Sequence, residues 1–331
     1  MCYDTAMSTT LSLKSLYAHI EPQLDRVRAC VNREWTDAFQ LVYGSETTPP
    51  RLGGKLMRPA LCFLSAGACG AEDLDHFTEM AAGMELLHLA ALAHDDVVDS
   101  ADLRRGETSL NRLWDNHTAV LGGDYLVARS LDILTKYDSC AVISSALDSI
   151  RQMAEGELIN FGRKQGELVA EDCIQLSEKK TASLFAVTCC TPTILIDPQY
   201  RQPLHDYGMG MGTAFQLIDD VIDLTEDEAT LGKPSCGDIT EGKTTLPLIY
   251  MKEAMSDTDR AHLESLTGTS LSKEDCDWVA DQMRSTGAQD KVVALCQGYI
   301  DSSLHALEQL PASPHRDTMA SIAEFVLIRH S

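Results

Sequence analysis

The sequence predicts an all-α protein with a single domain. From residue 11 onward the apolar residues recur with helical spacing, and the alternation typical of strands is nearly absent. Two long segments, 80–98 and about 204–224, are rich in residues that favour helices and are apolar on all sides, which indicates buried helices. No linker separates regions of different composition, so residues 11–331 form one predicted domain after a loose start at 1–10.

The predicted elements follow one another through short connections. Asp73 and Asp75 precede the segment 80–98, and either carboxylate can cap a helix. Helical spacing predicts further helices over 119–137, 140–161, 173–196, 204–224, 245–255 and 273–310. Turn-forming and charged residues predict loops over 44–55, 101–108, 163–171, 197–203 and 226–244.

The charge balance restricts the classes of partner. Lysine and arginine number 27 and aspartate and glutamate number 50, which gives a net charge of −23. This charge argues against nucleic-acid partners, whose binding depends on neutralised phosphates, and against electrostatic docking on anionic lipid. An anionic substrate would therefore need a local cluster of cations or a metal ion.

The cysteines and the hydropathy pattern predict a cytoplasmic protein. The 11 cysteines are scattered without a C-x-x-C pair, so no zinc signature is present and reduced thiols are expected. The first residues lack the apolar region of a signal peptide. No run of 18 apolar residues predicts a membrane span.

A short acidic motif occurs twice, each time at the end of an apolar helix. DDVVD at 95–99 recurs as DDVID at 219–223. Positions i and i+4 share a helix face, so the first and last aspartates of each motif form a pair. One such motif could be a solvated helix end, but two copies on buried helices favour compensation by cations. Magnesium prefers a few carboxylates together with water and substrate phosphates, so the motifs predict a site for a diphosphate.

Cationic residues lie beside glycines or in loops, where a backbone can approach a phosphate. Each alone would be a solvated surface charge, but together, in an acidic protein, they indicate a diphosphate pocket. These residues are Lys55, Arg58, Arg104, Arg105, Lys179, Lys180, Lys233 and Lys243.

At this point the sequence resembles the trans-isoprenyl diphosphate synthases, or polyprenyl synthetases, and is most similar to bacterial long-chain enzymes of the octaprenyl type. The resemblance extends from about residue 55 to about residue 250. It rests on the motifs GGKLMRP, ELLHLAALAHDDVVDSADLRRG, GDYL, EGE, KKTASLF, GTAFQLIDDVIDLTED, LGK and EGKTTLPL. The family implies a bundle of roughly a dozen helices around a deep central cavity, a homodimer, and head-to-tail condensation of isopentenyl diphosphate with an allylic diphosphate such as farnesyl diphosphate.

The resemblance also implies roles for individual residues. Three Mg²⁺ ions would be held mainly by Asp95, Asp99 and Asp219, supported by Asp96 and Asp223, with Asp220 as a further catalytic carboxylate. The allylic diphosphate would be held by Arg104, Lys180, Lys233 and Lys243. Isopentenyl diphosphate would be held by Lys55, Arg58, His88 and Arg105. Thr181 and Gln216 would line the reacting carbon. Taken alone, His88 is more typical of a buried core histidine, and only its place seven residues before Asp95 points to the substrate.

Two glycine-rich stretches imitate nucleotide-binding loops. GDITEGKTT at 237–245 fits the P-loop pattern, but no strand precedes it and Pro247 follows, so Lys243 is predicted to meet a prenyl diphosphate and no nucleotide is expected. GMGMG at 208–212 lies within an apolar helical segment. Its glycines are predicted to permit close helix packing.

The family chemistry is ionisation, condensation and elimination, and it requires no nucleophilic triad. Electrostatic preorganisation would carry most of the rate, and water must be excluded from the allylic cation. The loops 101–108 and 226–244 are expected to close over the site. A long product is expected to need transient contact with a membrane for release.

The helix before Asp95 is expected to form one wall of the elongation cavity. Ala90 and Ala91 stand where short-chain members of the family carry bulky aromatic residues, although alanine is also simply a good helix former. Each added unit of five carbons would contribute about 4 kcal/mol if buried, so elongation should continue to a product near forty carbons. The residues expected to close the cavity are Leu86, Leu87 and Leu131. A tyrosine at Ala90 is expected to shorten the product.

Three other interpretations are weaker. A terpene cyclase would not need the motif GGKLMRP and usually has a different second metal motif. A non-catalytic subunit of a heteromeric synthase would tend to lose its aspartates, and both motifs are complete here. An acidic scaffold protein does not explain paired motifs on buried helices. Mg²⁺-dependent consumption of isopentenyl diphosphate distinguishes all three from a synthase.

Overall fold

In the computed structural model, the segments with helical spacing form α-helices, as the sequence predicts. The structure describes residues 13–47, 54–98, 103–104, 107–108, 115–162, 168–231 and 234–329. The expected loose start at 1–10 lies outside these residues.

Sixteen α-helices occur within the described part of the chain. They are α1 Leu13–Leu16, α2 Glu21–Tyr43, α3 Met57–Ala68, α4 Thr78–Val98, α5 Asn116–Thr135, α6 Cys140–Gly162, α7 Ala170–Ser177, α8 Ser183–Cys190, α9 Arg201–Thr225, α10 Glu228–Leu231, α11 Gly237–Thr240, α12 Leu246–Ala254, α13 Asp257–Leu266, α14 Lys273–Ser285, α15 Ala288–Leu307 and α16 Pro314–Ile328. Short 3₁₀ turns cover Leu74–Phe77, Thr191–Ile194 and Pro198–Tyr200. The fold is therefore all-α.

The predicted boundaries differ from the structure at four places. The predicted helix 173–196 is α7 and α8, separated by a π-helical segment, Glu178–Ala182, and followed by a 3₁₀ turn. The predicted helix 273–310 is broken between α14 and α15, because Gly287 has a φ of 73° and ends the helical path. The predicted loop 226–244 contains α10 and α11.

The fourth difference is a minimal hairpin within the predicted loop 101–108. Strand β1, Leu103–Arg104, pairs antiparallel with strand β2, Glu107–Thr108, and Leu103 stands opposite Thr108. Two residues per strand are too few to form a core, so the hairpin is a local feature of this connection.

Two buried helices organise the bundle. Helix α4 packs against α5, and α9 packs against α8 and α15. Helix α4 is buried on nearly all sides over its first ten residues, from Met80 to Leu87 without interruption. The apolar segments that the sequence analysis singled out are thus the two central helices, and each ends in one of the acidic motifs.

The GMGMG stretch is a helix-packing feature, as predicted. A Cβ atom on Gly208 would lie 2.5 Å from the Ala186 Cα of α8, and one on Gly212 would lie 2.7 Å from the Ala182 Cα. Gly210 faces the opposite neighbour, α15, where it meets Ser303. The glycines therefore let α8 and α15 approach α9 from both sides.

None of the described helices combines the length and the hydropathy needed to cross a membrane.

Candidate active site

The π-helical segment Glu178–Ala182 links the ends of α4 and α9. Lys180 Nζ lies 3.2 Å from Asp95 Oδ1 at the end of α4. Its neighbour Thr181 donates a hydrogen bond of 2.7 Å from Oγ1 to Gln216 Oε1 on α9. A π-helical turn inserts an extra residue into a helix and often occurs at functional sites. Here it directs adjacent side chains toward the two acidic motifs.

A chain of hydrogen bonds fixes the amide of Gln216. Its oxygen accepts from Thr181, and its nitrogen donates to Asp220 Oδ1 over 2.8 Å. Because both ends of the amide are engaged, its orientation is determined. The three residues therefore form an ordered polar strip beside the second motif.

The carboxyl of Asp220 carries an unusual pKa. The pKa is raised to about 7, mainly by burial among neighbouring atoms, although part of the residue surface remains accessible. The charges of Asp219 and Asp223 contribute to this rise, whereas the hydrogen bond from Gln216 and the charge of Lys243 oppose it. The carboxyl of Asp220 is therefore protonated more readily than that of an ordinary aspartate.

Asp223 anchors the following loop. It is 3% exposed, and its Oδ2 accepts a hydrogen bond of 3.0 Å from the backbone N–H of Asp238. Its carbonyl oxygen accepts from the N–H of Cys236 over 2.8 Å. Gly237 packs directly on the carboxylate, since a Cβ there would lie 3.3 Å from Asp223 Oδ1. One oxygen of this carboxylate, Oδ2, therefore accepts a hydrogen bond from the loop that carries Lys243.

The same loop does not have the backbone geometry of a P-loop. The N–H of Lys243 donates to the carbonyl of Asp238 over 2.8 Å, and the N–H of Gly242 donates to Ile239. These amides point into the turn, whereas a P-loop directs its amides toward phosphates. The Lys243 side chain instead pairs with Glu241 at 2.6 Å and acts on Asp220 through its charge.

Arg329, after the last helix, is part of the site and was missed from the sequence. Its guanidinium lies 2.7 Å from Asp219 Oδ1 and stacks over the Phe215 ring at 4.4 Å. Phe215 packs on Phe185, and Arg58 stacks on Phe185 at 4.1 Å. No motif marks Arg329, because its partner lies on a distant helix. Each ring of the Phe185–Phe215 pair thus stacks with one arginine, Phe185 with Arg58 and Phe215 with Arg329.

The remaining predicted residues are distributed as follows. Asp96 is buried, Lys55 is exposed, and Arg58 and His88 are half-buried. Asp99, Arg105 and Lys233 lie outside the described residues. Only the backbone of Arg104 is described, in β1. Of the chain-length residues, Ala90, Leu86 and Leu87 are buried, and Ala91 and Leu131 are half-buried.

The donor set suits a hard divalent cation. Within the described part of the chain, no three acidic, histidine or cysteine side chains come close enough to hold a metal ion alone. Mg²⁺ takes one or two protein carboxylates and completes its shell with water and substrate oxygens. The charges of Asp219 and Asp223 act on Asp220, so a cation placed among these three carboxylates would be stabilised. The carboxylates therefore fit Mg²⁺ together with a diphosphate.

Comparisons with known proteins identify related chains. Residues 45–283 match the family model of the polyprenyl synthetases. The chain is 37% identical over 279 residues to the all-trans-nonaprenyl-diphosphate synthase (geranyl-diphosphate specific) of Rhodobacter capsulatus, covering 84% of this chain and 86% of that protein. It is 34% identical to the short chain isoprenyl diphosphate synthase of Methanothermobacter thermautotrophicus, covering 84% and 87%.

A solved structure shares the fold over nearly the full chain. The polyprenyl synthase of Caulobacter crescentus, crystallised with calcium and isoprenyl diphosphate, superposes with a TM-score of 0.86 at 30% identity, covering 98% of this chain and 100% of that one. The relatives include both long-chain and short-chain enzymes, so the length of the product has to be argued from the residues of this chain.

Proposed function

Because the chain belongs to the polyprenyl synthetase family and is a trans-prenyltransferase that elongates prenyl chains, we propose that it makes an all-trans polyprenyl diphosphate of about forty carbons. The substrates are isopentenyl diphosphate and an allylic primer, farnesyl diphosphate. The observation that carries the proposed length is the pair of small side chains, Ala90 and Ala91, that precedes Asp95 on α4.

The exposure pattern of α4 supports this assignment of the face. His88, Ala91 and Asp95 are half-buried and follow one another at helical spacings of three and four residues, so they form one stripe. Ala90 and Leu87 are 1% exposed and pack toward the core. The residue directly beneath the first aspartate is thus an alanine, which leaves room for the growing chain.

The antiparallel packing of α4 and α5 sets the depth of the cavity wall. His94 approaches the carbonyl of Val120 at one end, and the Tyr137 hydroxyl accepts from the N–H of Met80 at the other. In this register Leu131 lies near the level of Leu86. At that shared level, Leu86 and Leu131 can together block the path of the growing chain.

Burial in such a cavity favours continued elongation. Each unit of five carbons contributes about 4 kcal/mol when it moves from water into an apolar environment, at about 0.8 kcal/mol per carbon. Elongation should therefore continue until a large side chain blocks the path. Leu87, Leu86 and Leu131 are the proposed block, and Ala90 and Ala91 are the residues that permit passage.

In the proposed mechanism, the chain binds the leaving diphosphate and excludes water. Mg²⁺ held by Asp95, Asp99 and Asp219, with Asp96 and Asp223 in support, would supply positive charge to the leaving group. Lys180 and Lys243 bind the departing oxygens, with Arg104 and Lys233 beside them. The fixed dipoles of Thr181 and Gln216 face the reacting carbon and stabilise the allylic cation. Isopentenyl diphosphate is held by Lys55, Arg58, His88 and Arg105, and its double bond attacks that carbon. The resulting cation then loses a proton to the released diphosphate, which forms the new double bond.

The enzyme is further proposed to be a homodimer that associates through an apolar patch. The patch comprises Leu41, Val42, Tyr43, Val120 and Leu121, which are large apolar side chains exposed to solvent. Burial and then the charge of Asp115, the N-cap of α5, raise the pKa of Tyr43, so the end of α2 adjoins the start of α5. A second copy of this surface can cover the patch, because a twofold interface buries the same residues on both subunits.

The function is tested with purified protein, Mg²⁺, farnesyl diphosphate and labelled isopentenyl diphosphate, and the dephosphorylated products are sized by chromatography. A ladder ending near forty carbons supports the proposal. A ladder ending at fifteen or twenty carbons keeps the reaction and overturns the proposed length. Consumption of farnesyl diphosphate without incorporation of label would indicate a terpene cyclase.

A further inference from the structure

Two glutamates of α6 pair with two consecutive lysines of the π-helical segment. Glu155 Oε2 lies 2.7 Å from Lys179 Nζ, and Glu157 Oε2 lies 2.6 Å from Lys180 Nζ. These glutamates are the acidic members of the EGE motif, and the lysines open the KKTASLF motif. The two motifs are therefore complementary.

Gly156 lets the two elements approach closely enough for both pairs to form. A Cβ on Gly156 would lie 3.1 Å from Lys179 Cβ and 3.4 Å from the Lys180 backbone nitrogen. A side chain here would push the π-helical segment away from α6. The glycine between the glutamates thus sets the distance at which the carboxylates meet the lysines.

The two pairs differ in what lies beyond them. Lys180 also lies 3.2 Å from Asp95, so its ammonium stands between the carboxylate of Glu157 and the first acidic motif. Among the described residues, no ion pair joins Lys179 to an acidic motif, and its partner Glu155 instead pairs with Arg151 on the surface of α6. Of the two pairs in this part of the chain, the Glu157 pair is the one connected to the proposed metal and diphosphate site.

A cation bound at Asp95 would repel the ammonium of Lys180, since like charges at close range in a partly buried site oppose each other. Glu157 supplies a counter-charge on the far side of that ammonium. We propose that Glu157 is a positioning residue that holds Lys180 at the allylic diphosphate when Asp95 carries a metal ion. This inference rests on the proposed function, because it assigns Glu157 to the same site.

The kinetic test compares Glu157→Gln with the matched control Glu155→Gln. Loss of a charged hydrogen bond corresponds to about tenfold in affinity, so Glu157→Gln is expected to raise KM for farnesyl diphosphate about tenfold. KM for isopentenyl diphosphate should stay within about twofold, because the pair acts on one substrate only. Glu157→Asp, which keeps the charge, should recover part of the loss. Glu155→Gln should leave both values unchanged.

A binding test separates this inference from the proposed reaction. Without substrates, removal of the Glu157 charge shifts the Lys180 ammonium toward Asp95, where it competes with a metal ion. Mn²⁺ binding, followed by electron paramagnetic resonance, is expected to weaken several-fold in Glu157→Gln and to remain unchanged in Glu155→Gln. If the wild type fails to elongate a primer, the proposed function fails, but the Mn²⁺ comparison still decides the role of Glu157.

Three results would overturn the inference. They are equal effects of the two variants, a parallel rise of both KM values that reflects general loosening, and unchanged Mn²⁺ binding in Glu157→Gln.

Discussion

A tyrosine at Ala91 should convert the enzyme into a short-chain synthase. Ala91 lies four residues before Asp95 on the same half-buried stripe of α4, about 6 Å below the acidic motif at 1.5 Å per residue. A tyrosine ring at Ala91 would therefore block the path well before the level of Leu86. Each five-carbon unit that cannot enter the cavity lacks about 4 kcal/mol of stabilisation by burial. The product should therefore end at about twenty carbons or fewer.

The assay is the product ladder from farnesyl diphosphate and labelled isopentenyl diphosphate. Ala91→Ser is the matched control and should leave the ladder unchanged, since it alters polarity but hardly the size. Ala90→Tyr should also shorten the product, but with a stability loss of about 1–3 kcal/mol from overpacking, because Ala90 is 1% exposed.

The reasoning fails if Ala91→Tyr and Ala90→Tyr both yield the wild-type ladder while both proteins remain folded. In that case the growing chain does not pass along α4, and the small residues before Asp95 serve the helix alone.

Three further predictions concern packing, assembly and pH. Gly208→Ala should destabilise the protein by about 1–3 kcal/mol through its clash with the backbone of α8, whereas Gly298→Ala, which would meet nothing within 4 Å, should stabilise α15 by about 0.5–1 kcal/mol; denaturant unfolding measures both. Leu121→Glu should turn the proposed dimer into a monomer, measured by light scattering after gel filtration, and an unchanged mass would exclude the apolar patch as the interface. Burial and then the neighbouring His19 lower the pKa of His315 below its ordinary value of 6.5, so the unfolded chain binds more protons and the free energy of unfolding should decrease as pH falls through 6.5 toward the folded pKa. His315→Asn should reduce that decrease in a chemical-denaturation series.

The two central helices and the acidic motifs could be predicted from the sequence because their signals are local. The predicted segments 80–98 and 204–224 correspond to α4, Thr78–Val98, and α9, Arg201–Thr225. An unbroken apolar run can only be buried, and a motif at the end of each run fixes where the aspartates lie along the helix. The packing role of GMGMG was predictable for the same reason.

Other features depend on contacts between distant parts of the chain. The pairing of Arg329 with Asp219 could not be predicted, because the two residues are distant in the sequence and no motif surrounds Arg329. The stacking of Arg329 on Phe215 likewise depends on how the last helix packs. The π-helical segment differs from an α-helix by one inserted residue, which composition does not encode. The break at Gly287 was detectable, since glycine often ends a helix, but the long helical pattern on both sides outweighed it.

The paired charges of the site explain how a protein with a net charge of −23 can receive two diphosphates. Lys180, Lys243 and Arg329 each lie within 3.0 Å of a carboxylate, so each cation is already held in place before substrate arrives. Such pairing cancels much of their long-range attraction for anions, and what remains is a set of positioned hydrogen-bond donors. The surplus of positive charge must then arrive with the substrate. A divalent ion at the aspartates supplies it in the proposed mechanism, which couples diphosphate binding to metal binding. Without a metal ion, we expect a free diphosphate to bind weakly.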